Sequence, residues 1–192
     1  MRLRLLVLTL LSAAAVAASL TTEVVEKSFP GEESLGYFGG CSLACALPWT
    51  TRASGQLTPS GALSYGAEQA TDVDFSTCWA VPRGPGAWLE MSLGNADEKQ
   101  RSNWNGVSLV NGYAKSPELW KKNSRVKTLE LSLNGQSLGR VVLKDTASVQ
   151  SIRVPQTEVG YPDKIRLTIV DTYPGTDYAD TCISEIILEG AH

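Results

Sequence analysis

The stretch Leu129-Glu130-Leu131-Ser132-Leu133-Asn134-Gly135 decides the fold of this chain. Leucine at every second position, with Glu130 and Ser132 between, puts one row of side chains inward and the other outward. That is the period of a half-buried β-strand. Asn134-Gly135 then supplies two residues that tolerate the left-handed backbone of a tight hairpin, so the chain should reverse there into the apolar run at 141–143. Working outward, the same alternation recurs. Ala87, Leu89, Met91 and Leu93 alternate with Trp88, Glu90 and Ser92, and Ile165, Leu167 and Ile169 alternate with Arg166 and Thr168. Val107 with Leu109, Ile152 with Val154, and 183–188 read as further strands. Turn residues separate them at 82–86, Gly94-Asn95, Pro155 and Tyr161-Pro162-Asp163. No window holds a helical stripe over several turns, so the expected class is an all-β sandwich or jelly roll of antiparallel strands. The polar, basic segment 114–125 reads as a long surface loop.

The ends of the chain set its setting. Arg2 and Arg4, the apolar run 5–11 and the small residues 13–18 form the pattern of a secretory signal, with cleavage expected after Ala18. Residues 19–40 then read as a leader into a domain at 41–190. The apolar run is too short to span a bilayer and no later segment is long enough, so a secreted or periplasmic protein without a transmembrane segment is expected. Loss of Arg2 and Arg4 would take the net charge from −3 to −5. That acidity disfavours nucleic acid as a partner.

The single histidine is His192, the last residue, which removes Ser-His-Asp and Cys-His catalysis and every histidine-based zinc site. In an exported chain, Cys41, Cys45, Cys78 and Cys182 suit two disulfides, and four cysteines allow three pairings. A four-thiolate zinc site would want two close pairs, and only Cys41 and Cys45 are close.

Two stretches are rich in side chains that grip polar ligands. Sugars are held by an aromatic face against the ring and by directional hydrogen bonds to hydroxyls. Around 111–125, Tyr113 and Trp120 could supply faces, and Asn111, Lys115, Asn123 and Arg125 polar contacts. Around 171–181, Tyr173 and Tyr178 could add faces and Asp177 a further contact. The competing reading makes them ordinary turn residues with aromatics plugging the sandwich ends. Asp72, Asp74 and Thr77 place oxygens at a spacing that suits calcium, although it is not an EF-hand and the spacing alone favours a capped turn. Asp171, Asp177, Asp180 and Glu185 contain carboxylate pairs of the kind glycoside hydrolysis uses, a weaker reading than binding.

Tyr65-x-Ala67-x-x-Ala70-x-Asp72-x-Asp74-x-x-Thr77-x-Trp79, with Ile183-Ser184-Glu185-Ile186 near the end, resembles the discoidin or coagulation-factor C-type module. Asn111-Gly112-Tyr113-x-Lys115, Asn123-x-Arg125-Val126-Lys127 and Tyr173-x-Gly175-Thr176-x-Tyr178-x-Asp180-Thr181 look like a bacterial branch of it. That branch is the glycan-binding or translocation domain named after the streptococcal NAD glycohydrolase toxin. The resemblance covers about 49–189 and implies a galactose-binding-like jelly-roll sandwich. It implies a structural calcium held by Asp72, Asp74, Thr77 and Glu185. It also implies that Cys78 lies near Cys182, hence a Cys78–Cys182 bridge with Cys41–Cys45 as the second. Such modules are commonly fused to a catalytic domain, for which only 19–40 would remain here. The expectation is therefore a non-catalytic module that binds a glycan or glycoconjugate through 111–125 and 171–181. The alternative is a module of the same fold that holds an envelope or extracellular protein.

Overall fold

The computed structural model describes residues 20–25, 29–31, 38, 42–96 and 99–191. The expected signal peptide, most of the expected leader and Cys41 lie outside the described residues.

The alternating runs become strands: β1 (Thr22–Val24), β2 (Trp49–Ala53), β3 (Trp79–Pro82), β4 (Trp88–Leu93), β5 (Arg101–Asn111), β6 (Ser124–Leu133), β7 (Gln136–Val142), β8 (Gln150–Gly160), β9 (Lys164–Tyr173) and β10 (Asp180–Ala191). They form an all-β, galactose-binding-like jelly-roll sandwich. One layer runs β1-β8-β5-β10, with β3 also on β10, and the other runs β6-β9-β4-β2, with β7 also on β6. The layers meet at a short parallel contact, where Thr181 and Cys182 of β10 pair with Ser124 and Arg125 of β6. Nearly every other pairing is antiparallel.

The leucine row of β6 and the rows of β4 and β9 close the core. Leu89, Met91, Leu129, Leu131, Ile165 and Leu167 are at most 1% exposed. They pack with Val107, Leu109, Ile183 and Leu188 from the other layer. The hairpin forms where the Asn-Gly dipeptide sits: Leu133 pairs with Gln136, and Asn134 and Gly135 take φ of 52° and 81°. Pro155, expected to break a strand, lies within β8 instead. It falls where the β5–β8 register slips between Trp104 and Gly106, an irregular point where a missing N–H costs no ladder bond.

Two further expectations change. Thr22–Val24, inside the expected leader, pairs with β8. The expected loop 114–125 contains a short helix, α2 (Pro117–Lys122), after α1 (Leu43–Ala46). Ser116 caps α2 by accepting from the Leu119 N–H at 3.2 Å, and Pro117 occupies its first turn, where a missing donor is tolerated.

Candidate functional site

β5, α2, the start of β6 and the start of β10 meet at one end of the sandwich. The chain leaves β5 through Gly112, at φ +86°. A Cβ there would lie 2.7 Å from Trp120 and 2.8 Å from Arg125, so only glycine lets these elements approach.

A cavity of about 320 Å³ opens beside this junction. Tyr113, Lys115, Asn123 and Tyr178 line it, four of the nine residues expected to bind a ligand. Tyr113 is 8% exposed and its hydroxyl donates to the Ser76 carbonyl at 3.1 Å. Burial, reinforced by the neighbouring Cys78, pushes its pKa up to about 12, so it stays a neutral donor and an apolar face. Tyr178 is 50% exposed and offers a ring to solvent. Asn123 donates to the Leu119 carbonyl at 2.9 Å, and its own side-chain oxygen has no protein partner among the described residues.

Tyr65, Leu57, Leu63 and Asp180, outside the nine residues expected to bind, also line this cavity. Tyr65 stood in the motif behind the resemblance. Leu57 and Leu63 come from the Gly- and Pro-bearing connection between β2 and β3, whose turn residues were the available signal. Cys182 and Ala80 complete the floor.

The other expected ligand residues have different employment. Asn111 is fully buried, accepting from the Val126 N–H at 2.9 Å and donating to the Val126 carbonyl at 2.7 Å. Both halves of its amide are spent joining β5 to β6, so it cross-links the scaffold. Arg125 is also internal. It forms a two-point pair with Asp145 at 2.7 and 3.0 Å, donates to the Asn123 carbonyl at 3.0 Å, and lies 4.4 Å over the Trp120 ring. Trp120 donates to the Asn111 carbonyl and lines a separate cavity of about 300 Å³ with Phe29 and Asp145. Tyr173 donates to the Leu143 carbonyl at 3.0 Å, and Asp177 lies 3.8 Å from Lys122; neither lines the tyrosine cavity.

The four carboxylates weighed for hydrolysis have four settings. Asp171 is tied to Lys127 at 2.8 Å, whose hydrogen bond holds its carboxyl below the usual range. Asp177 faces Lys122, and Asp180 lines the tyrosine cavity. Glu185 is 1% exposed, near Asp72.

That last pair is the centre of the expected calcium site. Thr77 donates to both Asp72 oxygens at 2.9 and 3.1 Å, and the Asp74 N–H donates to one of them at 3.1 Å. The Asp74 carboxylate turns to its own loop and accepts from the Ser76 N–H at 2.8 Å. Glu185 accepts from the Ile186 N–H at 3.3 Å through Oε1, while Oε2 is buried with no hydrogen-bond partner. Burial first, and the Asp72 charge second, push the Glu185 pKa up to about 8. Burial also raises that of Asp72. An orphaned buried oxygen beside a second carboxylate fits a hard cation. Among the described residues no cluster of three or more His, Cys, Asp and Glu side chains could hold a metal, so other oxygens would have to complete the shell.

Cys78 and Cys182 are both buried and in contact as free thiols, their side chains within hydrogen-bonding reach of one another. The expected neighbours are thus brought together without a bridge. Cys45 is exposed, and its expected partner Cys41 lies outside the described residues. No helix of the described residues is long and apolar enough to cross a membrane.

Similarity to known proteins agrees with this geometry. Among solved structures, the CBM32-1 and CBM32-2 domains of Clostridium perfringens ZmpB in complex with GalNAc match with a TM-score of 0.59 at 8% identity. The match covers 90% of this chain and 40% of that one. A putative chitobiase fragment from Bacteroides thetaiotaomicron matches with a TM-score of 0.56 at 19% identity, over 75% of this chain and 89% of that one. The likeness is one of fold, a β-sandwich. A search of curated proteins gave no match. The model of the NAD glycohydrolase translocation F5/8 type C domain matches residues 45–189, most of the sequence, and the chain belongs to that family.

Proposed function

We propose that this protein is a secreted, non-catalytic glycan-binding module that takes a saccharide in the tyrosine-lined cavity. One observation carries the reading: Tyr65, Tyr113 and Tyr178 surround a space of sugar size, with Lys115, Asn123 and Asp180 among them. Aromatic faces cover the C–H side of a sugar ring, and the polar groups fix its hydroxyls. Hydrogen bonds to hydroxyls replace those to water, so a single site should bind at roughly millimolar to tens of micromolar. The ligand site thus keeps four of its expected residues and gains Tyr65 and Asp180.

In this reading Asp72 and Glu185, with oxygen from Thr77 and the loop backbone, hold a structural calcium ion. Calcium held there would supply positive charge to these carboxylates, and Asp72 and Glu185 would through it tie the loop before β3 to β10. Cys78 and Cys182 close a disulfide after export, passing two electrons and two protons to an oxidising thiol–disulfide partner. Cys41 and Cys45 form the second bridge.

A glycan array followed by calorimetric titration tests the site. Tyr178→Ala and Asn123→Ala are expected to weaken binding of the array's best ligand by at least about tenfold, the loss of one stacking or hydrogen-bonding contact. Affinity unchanged in both variants contradicts the assignment.

A further inference from the structure

A second site lies at the opposite end of the sandwich. β5 runs from Arg101, paired with Gly160, to Asn111 beside the tyrosine cavity. Eleven residues of strand separate its two ends by about 35 Å. The turn after Gly160 carries Tyr161 and Pro162, which border an open groove of about 510 Å³.

The floor of this groove follows from strand register. Thr50 of β2 pairs with Ser92 of β4, and Ser92 pairs with Lys164 of β9. Two residues along, Arg52 pairs with Glu90 and Glu90 with Arg166. Residues two apart share a face, so these are adjacent rows on the side of the sheet away from the core. Core-facing Met91 and Leu93 are the residues between and beyond them. Most outward positions of such a sheet could hold any polar residue. Here they bring three cations around one carboxylate.

Glu90 is 4% exposed. Arg52 donates to it at 2.7 Å and Arg166 at 2.6 Å, and Lys164 stands 3.9 Å away, beyond hydrogen-bonding distance. Arg166 is further fixed by the Trp88 ring, 4.2 Å below it. The nearby Asp163 is engaged by Asn134, the Gly160 N–H and Arg101. Among the described residues the three cations outnumber the one carboxylate they surround, on a protein whose net charge is −3. The Lys164 ammonium, the remaining N–H groups of Arg52, and the Thr50 and Ser92 hydroxyls have no protein hydrogen-bond partner among the described residues. Tyr161, 49% exposed, lines the same groove.

We infer that this groove is a second saccharide subsite, selective for a sugar that bears a carboxylate. Arg52 and Lys164 take the anionic group, Thr50 and Ser92 hydrogen-bond ring hydroxyls, and Tyr161 covers the ring. A planar guanidinium beside an ammonium matches a carboxylate better than a neutral hydroxyl. The subsite is independent of the tyrosine cavity and stands or falls without it.

Titration of the protein with methyl glucuronide, methyl glucoside and inorganic phosphate, followed by backbone amide shifts, tests the inference. Methyl glucuronide is expected to shift Ser92, Tyr161 and Lys164 and to bind at least about fivefold tighter than the glucoside, one charge-assisted contact. Lys164→Gln, which breaks no hydrogen bond within the protein, should remove that preference, and Tyr178→Ala should leave it intact. Equal affinity for the glucoside, an unchanged preference in Lys164→Gln, or no shift in the groove overturns the inference. Phosphate binding as tightly as the glucuronide overturns the saccharide assignment and leaves a simple anion site.

Discussion

Asn111 and Arg125 sit in motifs that look like ligand contacts, yet the structure spends both on the scaffold. Asn111 satisfies both backbone groups of Val126 across fifteen residues of sequence. Arg125 reaches Asp145 twenty residues away. Such partners are set by tertiary packing, so residue type and local spacing cannot separate these side chains from Asn123 and Lys115. Asn111→Ala leaves a buried N–H and a buried carbonyl unpaired. It is expected to cost about 2–4 kcal/mol in denaturant unfolding, while ligand affinity stays within a factor of two. Glu90 gives a pH signature at the same scale. Burial acts to raise its pKa, but hydrogen bonds from Arg52 and Arg166 outweigh it and hold the carboxyl below its ordinary value. A depressed folded-state pKa contributes stability above the unfolded value, and that stability is lost as pH falls through the folded one. Thermal scans on the acid side should therefore show a decline that is smaller in Glu90→Gln; identical slopes would refute it.

The hairpin between β6 and β7 was readable because its determinants are contiguous. Alternating leucines mark the buried face, and Asn134 and Gly135 supply the backbone that only a few residues adopt. Gly135→Val keeps the leucines and forces a β-branched residue to φ 81°, with an expected loss of about 1–2 kcal/mol. An unchanged denaturation midpoint would contradict this account of the turn. The helix α2 shows the limit. Its cap and first-turn proline are visible in Ser116-Pro117, but six residues are too few for a helical period to emerge, so the segment reads as loop. β1 escaped for a related reason: three residues carry no periodicity, and their pairing with β8 is decided by a strand about 130 positions downstream.

At the scale of the whole molecule, one sandwich carries two kinds of loop work. The loop before β3 meets β10 at the Asp72–Glu185 pair, and β5, α2, β6 and β10 frame the tyrosine cavity. If calcium braces the former, thermal stability should rise with added Ca²⁺ and fall with chelator, since the ion binds the folded state. Glu185→Gln should abolish the difference, and a midpoint indifferent to both additions would return Asp72 to a turn residue. The motifs at 65–79, 111–127 and 173–186 were sufficient to place the family, and the fold followed from strand alternation. What they could not show is which motif residues face solvent together, because Tyr65, Tyr113 and Tyr178 meet only when the sandwich closes. This meeting point is where the proposed sugar sits. The most direct test is to map amide and aromatic shifts of the protein during titration with the best ligand from a glycan array. Saturable shifts centred on Tyr113, Lys115, Asn123 and Tyr178, absent in Tyr178→Ala, are expected. Saturable binding with none of these residues perturbed would contradict this placement of the sugar.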